Sequence, residues 1–331
     1  MTILKGLTTS LLILGLFASV TGVTQPAAQS QPSFLEVVQE VKVTLLSTNL
    51  ADVPGVGEWG LSALVEVDGR CILFDAGRYP DTVLRNAREL NVDLSCVTDV
   101  VLSHHHGDHN GGLITLQEEF RKGNPTAFQR VHVAQGIFLS RPVPGGGERN
   151  GMIETREKLE ASGIKFIEYS EPTEIFPGVW VTGPIERTHP ETNYNTEREL
   201  LLDGELVGDI IPESQGLSIL TPRGHVVLLG CGHAGVINTL EHVQGAISAV
   251  PIHAVIGGFH LYAADEARLA WTAEKLASIG TENVIGAHCT GIEALFRLRE
   301  GANLTRSTAV VGAVGASFTF GKGIDPGGLA K

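Results

Sequence analysis

Cationic side chains are scarce in this sequence: 24 lysines and arginines stand against 37 aspartates and glutamates, a formal net charge of −13 over 331 residues. A protein that tracks nucleic-acid phosphates needs clustered lysine and arginine, and no such cluster occurs, which excludes nucleic acid as a partner. An acidic small molecule would have to find its countercharge locally. Cysteine is sparse as well. Four of them, Cys71, Cys96, Cys231 and Cys289, do not make a stapled scaffold in a chain this long, although an exported chain can pair them. Cys231 and Cys289 each lie within two residues of a histidine, so a ligand or buried-thiol role stands beside a bridge for both, and the redox state of all four is left open. A phosphate cradle is missing too: the glycines of "GCGHAG" and "GGFH" come without the lysine of a P-loop and without the spacing of a dinucleotide fingerprint.

Long apolar runs are confined to the start. Residues 1–30 read "MTILKGLTTSLLILGLFASVTGVTQPAAQS": one lysine, an apolar stretch, small residues, then a Pro/Gln/Ser-rich linker, which is the order of a secretory signal peptide cleaved between Gly22 and Ser30. The run from Leu7 to Val23 approaches the ~18 residues of a membrane span, but its threonines and serines dilute it, so no stable anchor is expected after cleavage. The expectation is a secreted or periplasmic protein.

What remains alternates between strand and helix patterns. "VKVTLL" and "LSALVEVDGRCILFDAG" read as strands, and "PDTVLRNAREL" carries Val83, Leu84, Ala87 and Leu90 at helical spacing. "VINTLEHVQGAIS" places Val236, Ile237, Leu240, Val243 and Ile247 on one helical face, and "DEARLAWTAEKLASIG" is a helix opened by Asp265 and stopped by Gly280. Four apolar strands run into His104, His233, His260 and His288, each before a helix. In layered α/β folds the loops leaving strand carboxyl ends gather at one sheet edge, so these histidines can converge. The segment "ERTHPETNYNTERELLLDGELVGD" is polar and turn-rich and reads as an excursion near the site mouth.

Of the 12 histidines, four fall within "VVLSHHHGDHNGGL": His104, His105, His106 and His109, with Asp108 between. Side chains two apart share a face, so His104 and His106 can reach one ion. Beyond the turn at Gly107, Asp108 and His109 can address a neighbouring one, and an imidazole with a carboxylate suits Zn²⁺. A distant imidazole would complete each set, giving two metals ~3.5–4 Å apart with a water between them acidified towards pKa ~7. Iron or manganese would accept the same donors. A surface histidine tract would be all histidine; this one mixes ligand types at the end of a buried strand. His132, His189, His225, His242 and His253 have no such setting and are read as structural or surface residues.

"HHHGDH" fits the H-x-H-x-D-H signature of the metallo-β-lactamase superfamily, and "ILFDAG", with Asp75, resembles that superfamily's first motif. With "GLSALVE", "TGPIER", "VVLLGCGHAGVINTL", "VIGGFHL" and "HCTG", the chain resembles the branch named for dihydropterin-type synthases of methanopterin biosynthesis, from about Val41 to Gly321. The resemblance implies a four-layer αββα sandwich, here over residues 38–321, with residues 322–331 as a tail. It implies that His104, His106 and His233 hold the first metal, and Asp108, His109 and His288 the second, Asp108 thereby also serving catalysis. His260 would give a proton to the leaving group, a task for which imidazole titrates in the right range. His105 has no assigned duty. Where the wider superfamily places a bridging aspartate, Cys231 stands, either as a thiolate joining the metals or in a site without a protein bridge; the second is favoured. Arg187 matches a charged motif position and is expected either to hold a substrate phosphate or carboxylate or to pair with Glu191 or Glu186.

The function expected from this reading is an exported, binuclear zinc hydrolase in which a metal-held hydroxide attacks an ester, amide or phosphate centre of a small molecule. Two rivals remain: a synthase-type transferase joining a pterin carbon to an aminobenzene ribosyl phosphate, and a metal-binding or sensory domain without catalysis.

Overall fold

Apolar side chains alternate along most strands of this protein, and the alternation sorts them into three separate cores. The computed structural model describes residues 35–195 and 197–330, together with Thr2; apart from Thr2, the segment read above as a signal peptide lies outside the described residues. One sheet has eight strands in the order Gly323–Asp325, Ser317–Thr319, Val41–Ser47, Ser62–Val67, Arg70–Phe74, Val97–Val101, Arg130–Ala134 and Lys165–Tyr169. The other has seven: Ala309–Val311, Asn283–Gly286, Ile252–Gly257, Gly224–Leu229, Gly216–Thr221, Val179–Val181 and Thr173–Phe176. The last residues, set apart above as a tail, thus supply an edge strand paired to Ser317–Thr319.

Because successive strand residues face opposite ways, Val65, Phe74 and Val101 of the first sheet meet Leu217, Val226 and Ile256 of the second in a central core. Their neighbours Leu64, Leu73 and Val100 turn outward under the helices Thr82–Glu89, Leu113–Phe120 and Met152–Ala161. Val227, Leu229 and Val255 turn outward under Val236–Ala246, Glu266–Ile279 and Ile292–Gly301. The layers are therefore α, β, β, α, as the resemblance implies. The helix Val236–Ala246 shows what holds a layer on: Val236, Ile237, Leu240 and Val243 are fully buried, each contributing about 1.5–3 kcal/mol of transfer free energy.

Local rules hold at the helix ends. Asp265 Oδ1 accepts from the Arg268 N–H at 2.8 Å, capping Glu266–Ile279, and Gly280 closes that helix at φ 77°, a conformation that costs glycine nothing. The polar excursion is more ordered than its composition suggests: Glu199–Leu202 and Glu205–Gly208 form a hairpin. Its turn, Asp203-Gly204, has φ 51° and 86°, as a two-residue hairpin turn requires.

What positions the site is the parallel part of each sheet. Arg70–Phe74, Val97–Val101 and Arg130–Ala134 are mutually parallel, as are Gly224–Leu229, Ile252–Gly257 and Asn283–Gly286. Parallel strands release their carboxyl ends on one edge, so Asp75, the histidine cluster, Cys231, His233, His260 and His288 are all delivered to the same side.

Candidate metal centre

Three ring nitrogens point at one another at the sheet edge. His106 Nδ1 lies 2.9 Å from His104 Nε2 and 3.2 Å from His233 Nε2. Beside them, Asp108 Oδ2 lies 3.5 Å from His288 Nε2 and 3.9 Å from His109 Nε2. In each trio the donor atoms lie within 4.8 Å of one another. These trios are the two ligand sets that the resemblance implies; two further groups overlap them, His104, His109 and Cys231, and Cys231, His260 and Cys289. His288 carries no hydrogen-bond partner on either buried ring nitrogen, a costly state for buried imidazole unless a cation takes up the lone pair. The donors, five imidazoles and a carboxylate, are those that divalent zinc, iron or manganese accept, so the residues fit such ions.

Asp75 organises the pair of sets from beneath. Fully buried, it accepts from the Ser103 backbone N–H at 2.7 Å through Oδ1 and from the Ser103 hydroxyl at 2.7 Å through Oδ2. Oδ2 also accepts from His109 Nδ1 at 2.6 Å. Ser103 Oγ in turn lies 2.9 Å from His104 Nδ1. A carboxylate only accepts, so a proton of this chain sits on Nδ1 of both imidazoles, which turns Nε2 of each towards the donor trios as the nitrogen that a cation would take. Gly230 permits the arrangement: a Cβ there would collide with Ser103 Oγ and lie 2.8 Å from Asp75 Oδ2. Asp75, His260 and His288 adopt φ of 55°, 50° and 49°, backbone strain of the kind stored at functional sites.

The electrostatics are those of crowded imidazoles. Burial, and then repulsion from neighbouring rings, push His104 and His233 well below the ordinary histidine range; His106 follows by the same causes. His109 goes the other way: burial opposes its charge, but Asp75 and Asp108 outweigh it and raise it to about 9. Burial acts to raise Asp108, yet His109 and His288 hold it below the usual carboxylate range.

A cleft of about 760 Å³ opens over the cluster, bordered by Trp59, Tyr262, His260 and three arginines, Arg78, Arg149 and Arg198. None of the three is paired with a carboxylate among the described residues, and Asp108 is the one acidic side chain lining the cleft. Sequence reasoning missed these arginines. Arg78 stands three residues after Asp75, and Arg198 sits in the polar excursion read above as lying near the site mouth, so position relative to the motifs was the available signal for those two; Arg149 lies in the Gly/Pro-rich stretch 141–150, which carries no such signal.

Other expectations need correcting. Arg187 does not face the cleft: Nη1 donates to the His233 carbonyl at 2.9 Å, and Nη2 to those of Ile210 and Ile211 at 2.6 and 3.1 Å. Its fork is occupied by backbone, so it braces the His233 turn instead of gripping substrate, and Glu191 pairs with Arg268 at 2.8 Å instead. His105, assigned no duty, is 2.5 Å from Glu213, whose other oxygen accepts from the fully buried Arg141 at 2.8 Å. His260 lies outside both trios; its ring centroid is 4.7 Å from that of His233, and its buried Nδ1 has no partner. Cys71 and Cys96 are joined as a disulfide, with Cα atoms 5.7 Å apart. Cys231 and Cys289 are free and buried. Burial raises the Cys231 thiol well above its ordinary range, and its sulfur lies 3.1 Å from His109 Nε2. His132, His189, His225, His242 and His253 bond elsewhere.

An αββα sandwich with two such donor sets at its strand ends defines a metal-dependent, hydrolase-like α/β protein. Residues 60–126 match the family model described as the metallo-beta-lactamase superfamily. The 7,8-dihydropterin-6-methyl-4-(beta-D-ribofuranosyl)-aminobenzene-5'-phosphate synthase of Methanocaldococcus jannaschii is 30% identical over 270 residues, 78% of this chain and 90% of that protein. The crystal structure of Tm1679, a metal-dependent hydrolase of the beta-lactamase superfamily, aligns with TM-score 0.67 at 25% identity, over 84% of this chain and 98% of that one. Zn(2+)-bound PqqB from Methylobacterium extorquens shares the fold, with TM-score 0.50 at 18% identity over 83% and 99% of the two chains. The chain belongs to the metallo-β-lactamase superfamily and, within it, to the family of the methanocaldococcal synthase.

Proposed function

We propose that this protein is a binuclear zinc hydrolase acting on an ester, amide or phosphate centre of a small molecule that carries an anionic group. The observation that carries this reading is the partition of six side chains into two donor trios on the floor of an open cleft. Two bound cations would supply an acidified water and positive charge against the oxyanion that develops in such a reaction. The chain's own residues then do the rest. Asp75, through Ser103 and His109, fixes the ligand tautomers. Arg78 and Arg198, free of carboxylate partners among the described residues, and Arg149, which gives one bond to the Pro142 carbonyl at 3.2 Å, would present guanidinium groups to a phosphate or carboxylate. His260, at the cleft wall, would hand a proton to the leaving group. Export to an oxidising compartment is part of the proposal, and the Cys71–Cys96 bridge supports it.

A second reading, a transferase of the synthase type, is favoured by one specific observation, the 30% identity to the methanocaldococcal synthase over 90% of its length, and the arginine-lined mouth is compatible with a ribosyl phosphate. Elemental analysis of purified protein, followed by chromogenic phosphodiester, lactone and β-lactam substrates, tests the first reading. Two transition-metal equivalents with turnover support it. Two equivalents without any turnover favour the non-catalytic or transferase reading, and no bound metal sinks all of them. N-terminal sequencing of the exported protein tests the compartment.

A further inference from the structure

Cys231 leaves the strand Gly224–Leu229 through Gly230 and is 3% exposed. A buried free cysteine ordinarily packs as a small apolar side chain, but this one lies outside all three apolar cores. Its sulfur faces His109 Nε2 at 3.1 Å and forms a compact donor group with His104 and His109, all within 4.8 Å. His104 belongs to the first trio and His109 to the second, so the sulfur sits where the two sets meet. His288, whose buried ring nitrogens make no hydrogen bond, marks the adjoining Asp108–His109 set, which shares His109 with this group, as built for a cation. Cys289 differs: it groups with Cys231 and His260 but with no member of the two trios, and its thiol lies 3.7 Å from the Cys231 carbonyl.

We infer that the Cys231 thiolate is the protein ligand shared between the two cations. The inference rests on the metal-centre reading above and reverses the expectation that the site runs without a protein bridge. On loading, the thiol proton passes to solvent and the sulfur lone pairs take both ions. A shared thiolate is a soft donor, so it biases the centre towards zinc or iron and away from manganese, which prefers oxygen.

Cobalt(II) reports sulfur ligation directly, through a sulfur-to-metal charge-transfer band in the near ultraviolet. The full chain, stripped of metal and loaded with cobalt, is expected to show that band with two equivalents bound. Cys289→Ser should keep it. Cys231→Ser should lose it together with part of the bound cobalt, and Cys231→Asp, whose carboxylate can also join two cations, should recover two equivalents without the band while shifting preference towards manganese. Circular dichroism of the metal-free variants checks that the fold is intact. A band surviving in Cys231→Ser, lost in Cys289→Ser, or absent from the parent protein with two cobalts bound overturns the inference and leaves the metal centre standing. A parent chain that binds no cobalt overturns both.

Discussion

Asp75→Asn changes one atom and should disable both halves of the centre. In the native chain the carboxylate accepts from Ser103 N–H through one oxygen, and from Ser103 Oγ–H and His109 Nδ1–H through the other. With asparagine, the amide oxygen still serves Ser103 N–H, but the amide nitrogen replaces the second oxygen and donates where the carboxylate accepted. His109 Nδ1 must then become an acceptor, which puts its proton on Nε2. Ser103 Oγ becomes an acceptor too and turns its own proton towards His104 Nδ1 at 2.9 Å, so that His104 also carries its proton on Nε2. Both nitrogens that face the donor trios lose their lone pairs. Loss of such an orienting partner typically costs ~10–100-fold in metal affinity, about 1.4–2.8 kcal/mol, and here it falls on both ions. Shape and hydrogen-bond count are kept, so the metal-free fold should be nearly as stable as before. Competition against a chromophoric zinc chelator measures the two affinities, and a thermal melt of the metal-free variant measures the fold. Unchanged zinc affinity at both sites would refute the proton-direction argument; a loss at one ion only would refute the coupling through Ser103.

Three further outcomes follow from named contacts. Arg198→Ala should raise KM for a phosphate-bearing substrate by ~10-fold or more, the worth of one charge-assisted hydrogen bond, with kcat little changed; steady-state kinetics against a neutral analogue checks it. Arg187→Ala, by freeing the carbonyls of His233, Ile210 and Ile211, should weaken the metal bound by the His104, His106 and His233 set and leave KM for substrate nearly unchanged, the reverse of what a substrate-gripping arginine would give. Asp99, buried at 2.8 Å from His132 and 2.6 Å from Arg130, pays for burial but is held below the ordinary carboxylate range by those partners. Its contribution is therefore complete above its unfolded pKa of ~3.9 and fades as pH falls below it. Asp99→Asn should cost about 3 kcal/mol near neutrality, the low end for breaking a buried pair because Arg130 keeps contact with solvent, and the difference from the parent in urea melts should narrow between pH 4 and 2.

Which parts were legible in advance follows from how local their physics is. The helix Glu266–Ile279 was bounded by its own cap and stop, and the layered architecture by apolar periods that each element carries within itself. His104, His106, Asp108 and His109 were legible because ligand spacing is a short-range property. Partners contributed by distant turns are a different matter. Arg187 lay in a motif, yet whether its fork meets substrate or backbone depends on where residues 210 and 233 come to rest. The Cys71–Cys96 bridge ties the strand Arg70–Phe74 to the turn that enters its parallel neighbour Val97–Val101, a register no spacing reveals. Arg78, Arg149 and Arg198 come from three separate loops. The hairpin within the excursion did announce itself through Asp203-Gly204; its surrounding polarity masked the signal.

The two donor trios each draw on both sheets. His104, His106, Asp108 and His109 follow a strand of one, while His233 and His288 follow strands of the other. Any ion held there acts as a clasp across the sandwich, closing its rim where the interleaved aliphatic core gives out. An ion at one hundred times its dissociation constant adds about 2.7 kcal/mol to the native state, so the resilience of this protein to heat is a property it shares with the trace elements around it.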